Sequence, residues 1–126
     1  AAFTKPGHVL LQGCNAESED DYVRMFINET VARSSVAGHG ELLNVDVVPV
    51  LPFVETDSGR VVVPYLNFYV GNSFVVIPVT GHEADNDMVQ MIGEFFPSRD
   101  MVPLDIGRIL AVGGGGIHCI TQQVPA

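Results

Sequence analysis

Apolar residues recur along this chain in a fixed order. Val9, Leu10 and Leu11 form a strand-like run, followed by an acidic loop from Asn15 to Asp21. Val23, Phe26, Ile27, Thr30 and Val31 then show the three-and-four spacing of a helix. A shift of 75 − 9 = 66 positions finds a second copy: Val75, Val76 and Ile77, a loop from Gly81 to Asp87, then Val89 and Ile92. Under the same shift Asp21 falls on Asp87 and Met25 on Met91. Met88, Met91, Ile92, Phe95 and Phe96 line one buried helical face, and Pro97 stops the helix. A further strand is predicted after each helix, Leu42 to Val50 with Pro49 as a late interruption, and Met101 to Leu110. The unit is therefore strand, acidic loop, helix, strand.

Between the copies, Pro52 to Arg60 is turn-rich around Asp57, Ser58 and Gly59, and Val61 to Val63 is extended, which predicts a surface hairpin. Repeat folds bury each unit against its neighbours and need about three units. Two copies leave apolar edges such as Val75 to Ile77 uncovered. The expectation is association with further copies, as a homo-oligomer, or with the rest of a longer polypeptide.

Composition narrows the class. At 126 residues with 47% hydrophobic and 17% charged residues, the chain suits one folded unit and not a disordered one. Six basic against fifteen acidic residues give 6 − 15 = −9, which disfavours nucleic acid and anionic membranes and favours a small cationic ligand. No apolar run is long enough to cross a bilayer and no signal-peptide pattern opens the chain, so a cytoplasmic location is expected. Cys14 and Cys119 show neither CxxC nor Cys/His ligand spacing. Neither a disulfide nor a metal site is expected, and both thiols read as free.

Candidate chemistry concentrates near the end, at Gly113, Gly114, Gly115 and Gly116 followed by Ile117, His118 and Cys119. Four glycines belong where the chain needs positive φ or where a ligand approaches the backbone. No Gly-Lys-Ser or Gly-Lys-Thr follows, which argues against a phosphate loop. Cys119 reads equally as a nucleophile reached through the glycines or as a small hydrophobe in a buried strand. On such a strand His118 would point to the opposite face and be structural. His8, His39 and His82 read as solvated or core-satisfied, and Cys14 as inert. Glu83, Asp85 and Asp87 are explained as carboxylates at a helix N-terminus.

These residues resemble the C-terminal part of the agmatine deiminases, the peptidyl-arginine-deiminase-like enzymes of the guanidine-modifying, or pentein, superfamily. The resemblance rests on Asn67-Phe68-Tyr69-Val70-Gly71-Asn72 with Pro78 and Gly81, on Phe96-Pro97 with Arg99, Asp105 and Arg108, and on Gly114-Gly115 with Ile117-His118-Cys119-Ile120-Thr121-Gln122-Gln123 and Pro125. It implies an α/β fold, a partial pentein-type αβ propeller of which residues 1–126 supply about two of five ββαβ repeats, repeat A over about 3–51 and repeat B over about 61–126. It also implies that Cys119 attacks a guanidinium carbon, with Gly115 and Gly116 beside the substrate, and that no metal or cofactor is used.

The chain departs from the family pattern in three places. Gly116 stands where the family usually has Asn, an exchange the backbone would tolerate because both residues accept left-handed conformations. His82 stands where Asp is common, and Gly13-Cys14 replaces a Trp-Thr type pair. The family's Gly-His-x-Asp acid/base motif, aligned on Phe3 and Pro6, would end before Ala1, and its guanidinium-clamping carboxylates lie further upstream. The expected activity is hydrolysis of agmatine or a related alkylguanidine to a ureido product and ammonia, a step of putrescine-forming polyamine metabolism, with a companion N-terminal chain or segment completing the domain. The alternatives are a non-catalytic binding or regulatory fragment, and an amidinotransferase using the same thiol.

Overall fold

The computed structural model describes residues 1–14, 17, 20–48 and 53–124. Most of the acidic loop (Asn15, Ala16, Ser18 and Glu19), together with Pro49, Val50, Pro52 and Pro125, lies outside the described residues. The chain divides into two compact units, residues 1–51 and 52–126.

In the first unit, β1 (Ala2–Lys5) runs antiparallel to β2 (His8–Gln12) around a turn in which Gly7 has φ +75. Helix α1 (Tyr22–Ser34) returns the chain to β3 (Asn44–Val48), parallel to β2 with His8 opposite Asn44. The sheet order is β1-β2-β3. Val9, Leu11 and Val45 form a buried cluster against Ala32, Leu43 and Val47. Leu10 is equally buried, so β2 is covered on both faces, which is why it reads as a continuous apolar run and not as an alternation. Helix α1 itself has no buried residue. Its apolar stripe stays open, with Val23 64%, Phe26 60%, Ile27 54% and Val31 58% exposed.

The second unit opens with the expected hairpin, β4 (Phe53–Thr56) and β5 (Gly59–Val62), joined through Asp57 and Ser58. Gly59 has φ +105, a value glycine adopts without steric cost. The Thr56 hydroxyl accepts the Ser58 N–H (3.2 Å) and donates to the Gly59 carbonyl (2.7 Å), which tightens the turn. A second ββαβ unit follows: β6 (Tyr69–Val70), β7 (Phe74–Val79), α2 (Asp85–Glu94) and β8 (Asp100–Asp105), in sheet order β6-β7-β8. β6 is antiparallel to β7 and β8 is parallel to it, with Phe74 opposite Asp100. Met88 and Ile92 are buried in α2 as the helical spacing predicts, but the helix ends at Glu94 and not at Pro97, so Phe96 is buried from beyond its end while Met91 and Phe95 are half-buried.

The shift of 66 carries His8 onto Phe74, the first residues of β2 and β7. It does not hold to the end of the unit. The paired positions His8 and Asn44 are 44 − 8 = 36 residues apart, whereas Phe74 and Asp100 are 100 − 74 = 26 apart. The first unit has longer connections on both sides of a longer helix.

Three further expectations are corrected. The loop expected to reach Asp87 ends earlier, because α2 starts at Asp85. The strand expected over Met101 to Leu110 ends at Asp105, and α3 (Gly107–Val112) follows. Ile106, Ile109 and Leu110 already have helical spacing, so two apolar patterns abut there. Val75 and Ile77 are fully buried, because β7 is the central strand and not an edge. Among the described residues no helix is long and apolar enough to cross a membrane.

Candidate active site

Helix α3 starts against β7. Gly107 is buried, and a Cβ there would lie 2.8 Å from the Val79 carbonyl oxygen, so the close approach requires glycine. The chain then leaves the helix through Gly113 and Gly114. The Gly114 N–H donates to the Ala111 carbonyl (2.9 Å) and the Gly115 N–H to the Leu110 carbonyl (3.1 Å). Of the four consecutive glycines only Gly114 has positive φ, +79.

Beyond them His118–Ile120 forms a single 3-10 turn, not a strand. The expectation that His118 and Cys119 point to opposite faces of a strand therefore falls. The His118 N–H donates to the Asn67 carbonyl (3.0 Å), and its side chain is exposed. Cys119 is exposed as well, which removes the reading of a buried small hydrophobe.

Asn67 organises this turn. It sits between β5 and β6 in a segment pinned by Tyr65, Leu66 and Phe68, all buried, and by its own N–H donating to the Pro64 carbonyl (2.9 Å). The Cys119 N–H donates to Asn67 Oδ1 (3.2 Å), which fixes how the amide is turned. Asn67 Nδ2 then faces sulfur and donates to Cys119 Sγ at 3.0 Å. The same sulfur lies 3.4 Å from Oδ1, so a protonated thiol donates there while a thiolate accepts from Nδ2.

The Asn67 amide, helped by the Gly116 N–H, holds the Cys119 thiol below its ordinary pKa, and the small desolvation acting the other way does not cancel this. Gly115 passes close by, with a Cβ there 3.4 Å from Cys119 Cβ. Gly116 is buried, and a Cβ there would stand 2.6 Å from Asn67 Cγ. The φ of Gly116 is not positive, so left-handed freedom is not what the position needs, and the expectation that an Asn there is tolerated fails on the space around it.

Asn67 is the contact of Cys119 that reading the chain as local segments missed. It lies 52 residues before Cys119, and only the Asn-Phe-Tyr resemblance drew attention to that segment.

The other candidates are structural. Asp85 lies in the first turn of α2 but makes no cap bond; its carboxylate accepts the Tyr65 hydroxyl (2.6 Å) and the Thr80 N–H (3.2 Å). Capping therefore does not account for Asp85, although Asp87 does lie exposed in the same first turn. Burial, then the Asp85 carboxylate, pushes the Tyr65 phenol far above its ordinary pKa. The Thr80 hydroxyl is buried without a hydrogen-bond partner among the described residues. His82 Nδ1 accepts the Ala84 N–H (3.0 Å), and His39 Nδ1 stands 3.8 Å from Glu41. Arg99 donates to the Gly71 carbonyl (3.0 Å) and Arg108 to the Glu55 carbonyl (3.0 Å), each tying two segments of the second unit together. Cys14 follows β2 in the first unit and lines a cavity of about 190 Å³ with Tyr22, Met25 and Phe26. Among the described residues no group of three or more His, Cys, Asp or Glu is placed to hold a metal ion.

Comparison with known proteins finds relatives over nearly the whole of this chain. A relative from Legionella pneumophila (strain Paris), named "Putative agmatine deiminase", is 33% identical over 99% of this chain and 36% of its own length. The agmatine deiminase of Stutzerimonas stutzeri (strain A1501) is 30% identical over 98% of this chain and 38% of its length. The solved agmatine deiminase of Enterococcus faecalis superposes with TM-score 0.83 at 24% identity, over 98% of this chain and 38% of that one, and so shares its fold. The chain thus spans little more than a third of the length of the relatives it matches. Residues 1–125 match the Porphyromonas-type peptidyl-arginine deiminase family, and the chain belongs to that family.

Proposed function

We propose that this chain is the nucleophile-bearing portion of a hydrolase acting on agmatine or a related alkylguanidine, with Cys119 as the nucleophile. The observation that carries the proposal is the exposed Cys119 sulfur accepting the Asn67 amide at 3.0 Å, in a chain whose named relatives are agmatine deiminases. An exposed thiol held toward the thiolate is a ready nucleophile, and a bound guanidinium, a permanent cation, stabilises that thiolate further.

Sulfur attacks the guanidinium carbon, forming a C–S bond and a tetrahedral adduct. Proton transfer to one nitrogen expels ammonia and leaves an amidino-thioether on Cys119. Water then adds to the same carbon, the C–S bond breaks, the thiolate is regenerated and the ureido product leaves.

Asn67 stabilises the thiolate at the start and the end of this cycle, and Gly115 and Gly116 border the substrate through their backbone, the space of the missing Gly116 side chain being filled by Asn67. The acid/base histidine and the clamping carboxylates are assigned to a companion segment that completes a five-repeat propeller. No metal or cofactor enters the scheme. Cytoplasmic location, a place in putrescine formation and assembly as a homo-oligomer belong to the same reading. The net charge of −9 suits a cationic substrate.

The test is ammonia and ureido-product formation from agmatine and a panel of guanidines by the intact protein. Turnover is expected, falling by more than about a thousandfold in Cys119→Ser. No turnover with any guanidine by the folded protein would favour the binding-module reading. Amidine appearing on an added amine would favour transfer over hydrolysis.

A further inference from the structure

We infer that Gly116 is a positioning residue: by carrying no side chain it leaves the space in which the Asn67 amide reaches Cys119. The inference rests on the reading of Cys119 as nucleophile and concerns how its sulfur is held. Gly116 does not need to be glycine for its backbone, since its φ lies outside the left-handed region that Gly114 occupies. What it needs is room. A Cβ built on Gly116 would stand 2.6 Å from Asn67 Cγ and 3.1 Å from Oδ1, and nearer still to Asn67 Cβ. Real Cβ atoms essentially never come within 3.0 Å of such neighbours, so a side chain here displaces Asn67 or the turn.

Asn67 has little freedom to yield. Its carbonyl accepts the His118 N–H, its Oδ1 accepts the Cys119 N–H, and its own N–H is bound to the Pro64 carbonyl. Pushing the amide aside breaks the bonds at Oδ1 and Nδ2 together, because both belong to one rigid plane. The Gly116 N–H, which itself faces the sulfur, would move with the turn. Gly116, Asn67 and Cys119 thus interlock: the missing Cβ on the first permits the amide of the second to hold the thiol of the third. A side chain at 116 is incompatible with this arrangement and requires another placement of Asn67.

The experiment measures the rate of Cys119 alkylation by iodoacetamide against pH in the intact protein, read by peptide mass, for Gly116→Ala, Gly116→Asn and Asn67→Gly. Gly38→Ala is the control, since a Cβ at Gly38 meets nothing within 4 Å. Gly116→Ala and Gly116→Asn are expected to react about tenfold more slowly at pH 7, with the inflection moved to higher pH by about one unit. Gly38→Ala is expected to match the parent. The double variant Gly116→Ala with Asn67→Gly is expected to be no slower than Asn67→Gly alone, because the amide is already gone and the clash with it.

A rate for Gly116→Ala within about twofold of the parent, or a double variant slower by the product of the two single effects, overturns the inference. Should Gly116→Ala fail to fold, the inference requires that Asn67→Gly restore folding; failure in both backgrounds overturns it. Iodoacetamide needs only a thiolate, so these outcomes stand whether or not the protein hydrolyses guanidines.

Discussion

Asn67 meets the Cys119 sulfur and N–H through one amide plane, and the consequence is a pH dependence with a definite sign. The thiol is held below its ordinary value, so alkylation of Cys119 reaches its plateau at lower pH than for a free cysteine. Asn67→Asp replaces the donating N–H by a second oxygen and sets a negative charge against the thiolate, so the inflection moves up. The check is the pH–rate profile of iodoacetamide labelling, and an inflection unchanged from the parent would contradict the role of Asn67. The same preference for thiolate stabilises the fold above the ordinary thiol pKa, and that contribution is lost as pH falls through the lowered value. The glycine run and Cys119 were legible as a place of chemistry because composition alone sets them apart. Asn67 was not, because its partner is 52 residues away and a lone asparagine between buried Leu66 and Phe68 carries no local pattern that points to it.

Elements tell a similar story with a different cause of error. The strand-helix-strand part of both units and the hairpin were readable, since β2, β7 and the Asp57-Ser58-Gly59 turn each carry a pattern with only one cheap conformation, whereas β1 and β6 carry no such pattern. The boundary between β8 and α3 was not, because strand-like Met101 to Leu104 meets helix-spaced Ile106, Ile109 and Leu110 across Asp105 alone, with Pro103 inside the strand and Gly107 inside the helix instead of between them. The start of α2 was missed for a related reason. Asp85 looks like a capping carboxylate but is held by Tyr65 and by the Thr80 N–H across the turn.

That arrangement yields a stability prediction. Tyr65 is fully buried and its phenol is kept neutral, so ionisation is disfavoured in the fold relative to the unfolded chain. Its contribution is complete below pH about 10 and is lost as pH rises beyond it. Tyr65→Phe leaves Asp85 short of one donor and is expected to cost about 1–3 kcal/mol at pH 7. It should also flatten the loss of stability between pH 9 and 11. Urea midpoints of parent and variant at these pH values measure both effects, and an equally steep alkaline loss in Tyr65→Phe would rule the explanation out.

At the scale of the whole molecule, the surface carries more exposed apolar side chain than a self-sufficient chain needs. Val23, Phe26, Ile27 and Val31 form an open stripe on α1, and Ile109 and Val112 are exposed on α3. Scattered exposed hydrophobics are ordinary, but a continuous helical stripe is a surface with a use. Relatives nearly three times as long, and a helix with no buried residue and an exposed apolar stripe, fit the proposal that a companion segment or a second copy completes the protein. If so, Phe26→Ser has two different costs. In residues 1–126 expressed alone the ring is already mostly in water, and the expected change in stability is within about 0.5 kcal/mol. In the complete protein, where the stripe is covered, the same substitution should cost about 2 kcal/mol, near the value of burying the rest of one large side chain. The isolated chain should also bind a hydrophobic dye that the complete protein does not, and sedimentation tells a second copy from an upstream segment as the cover. Equal and small costs in both proteins, with dye binding unchanged, would mean that α1 faces water in the finished molecule and that its completion lies elsewhere.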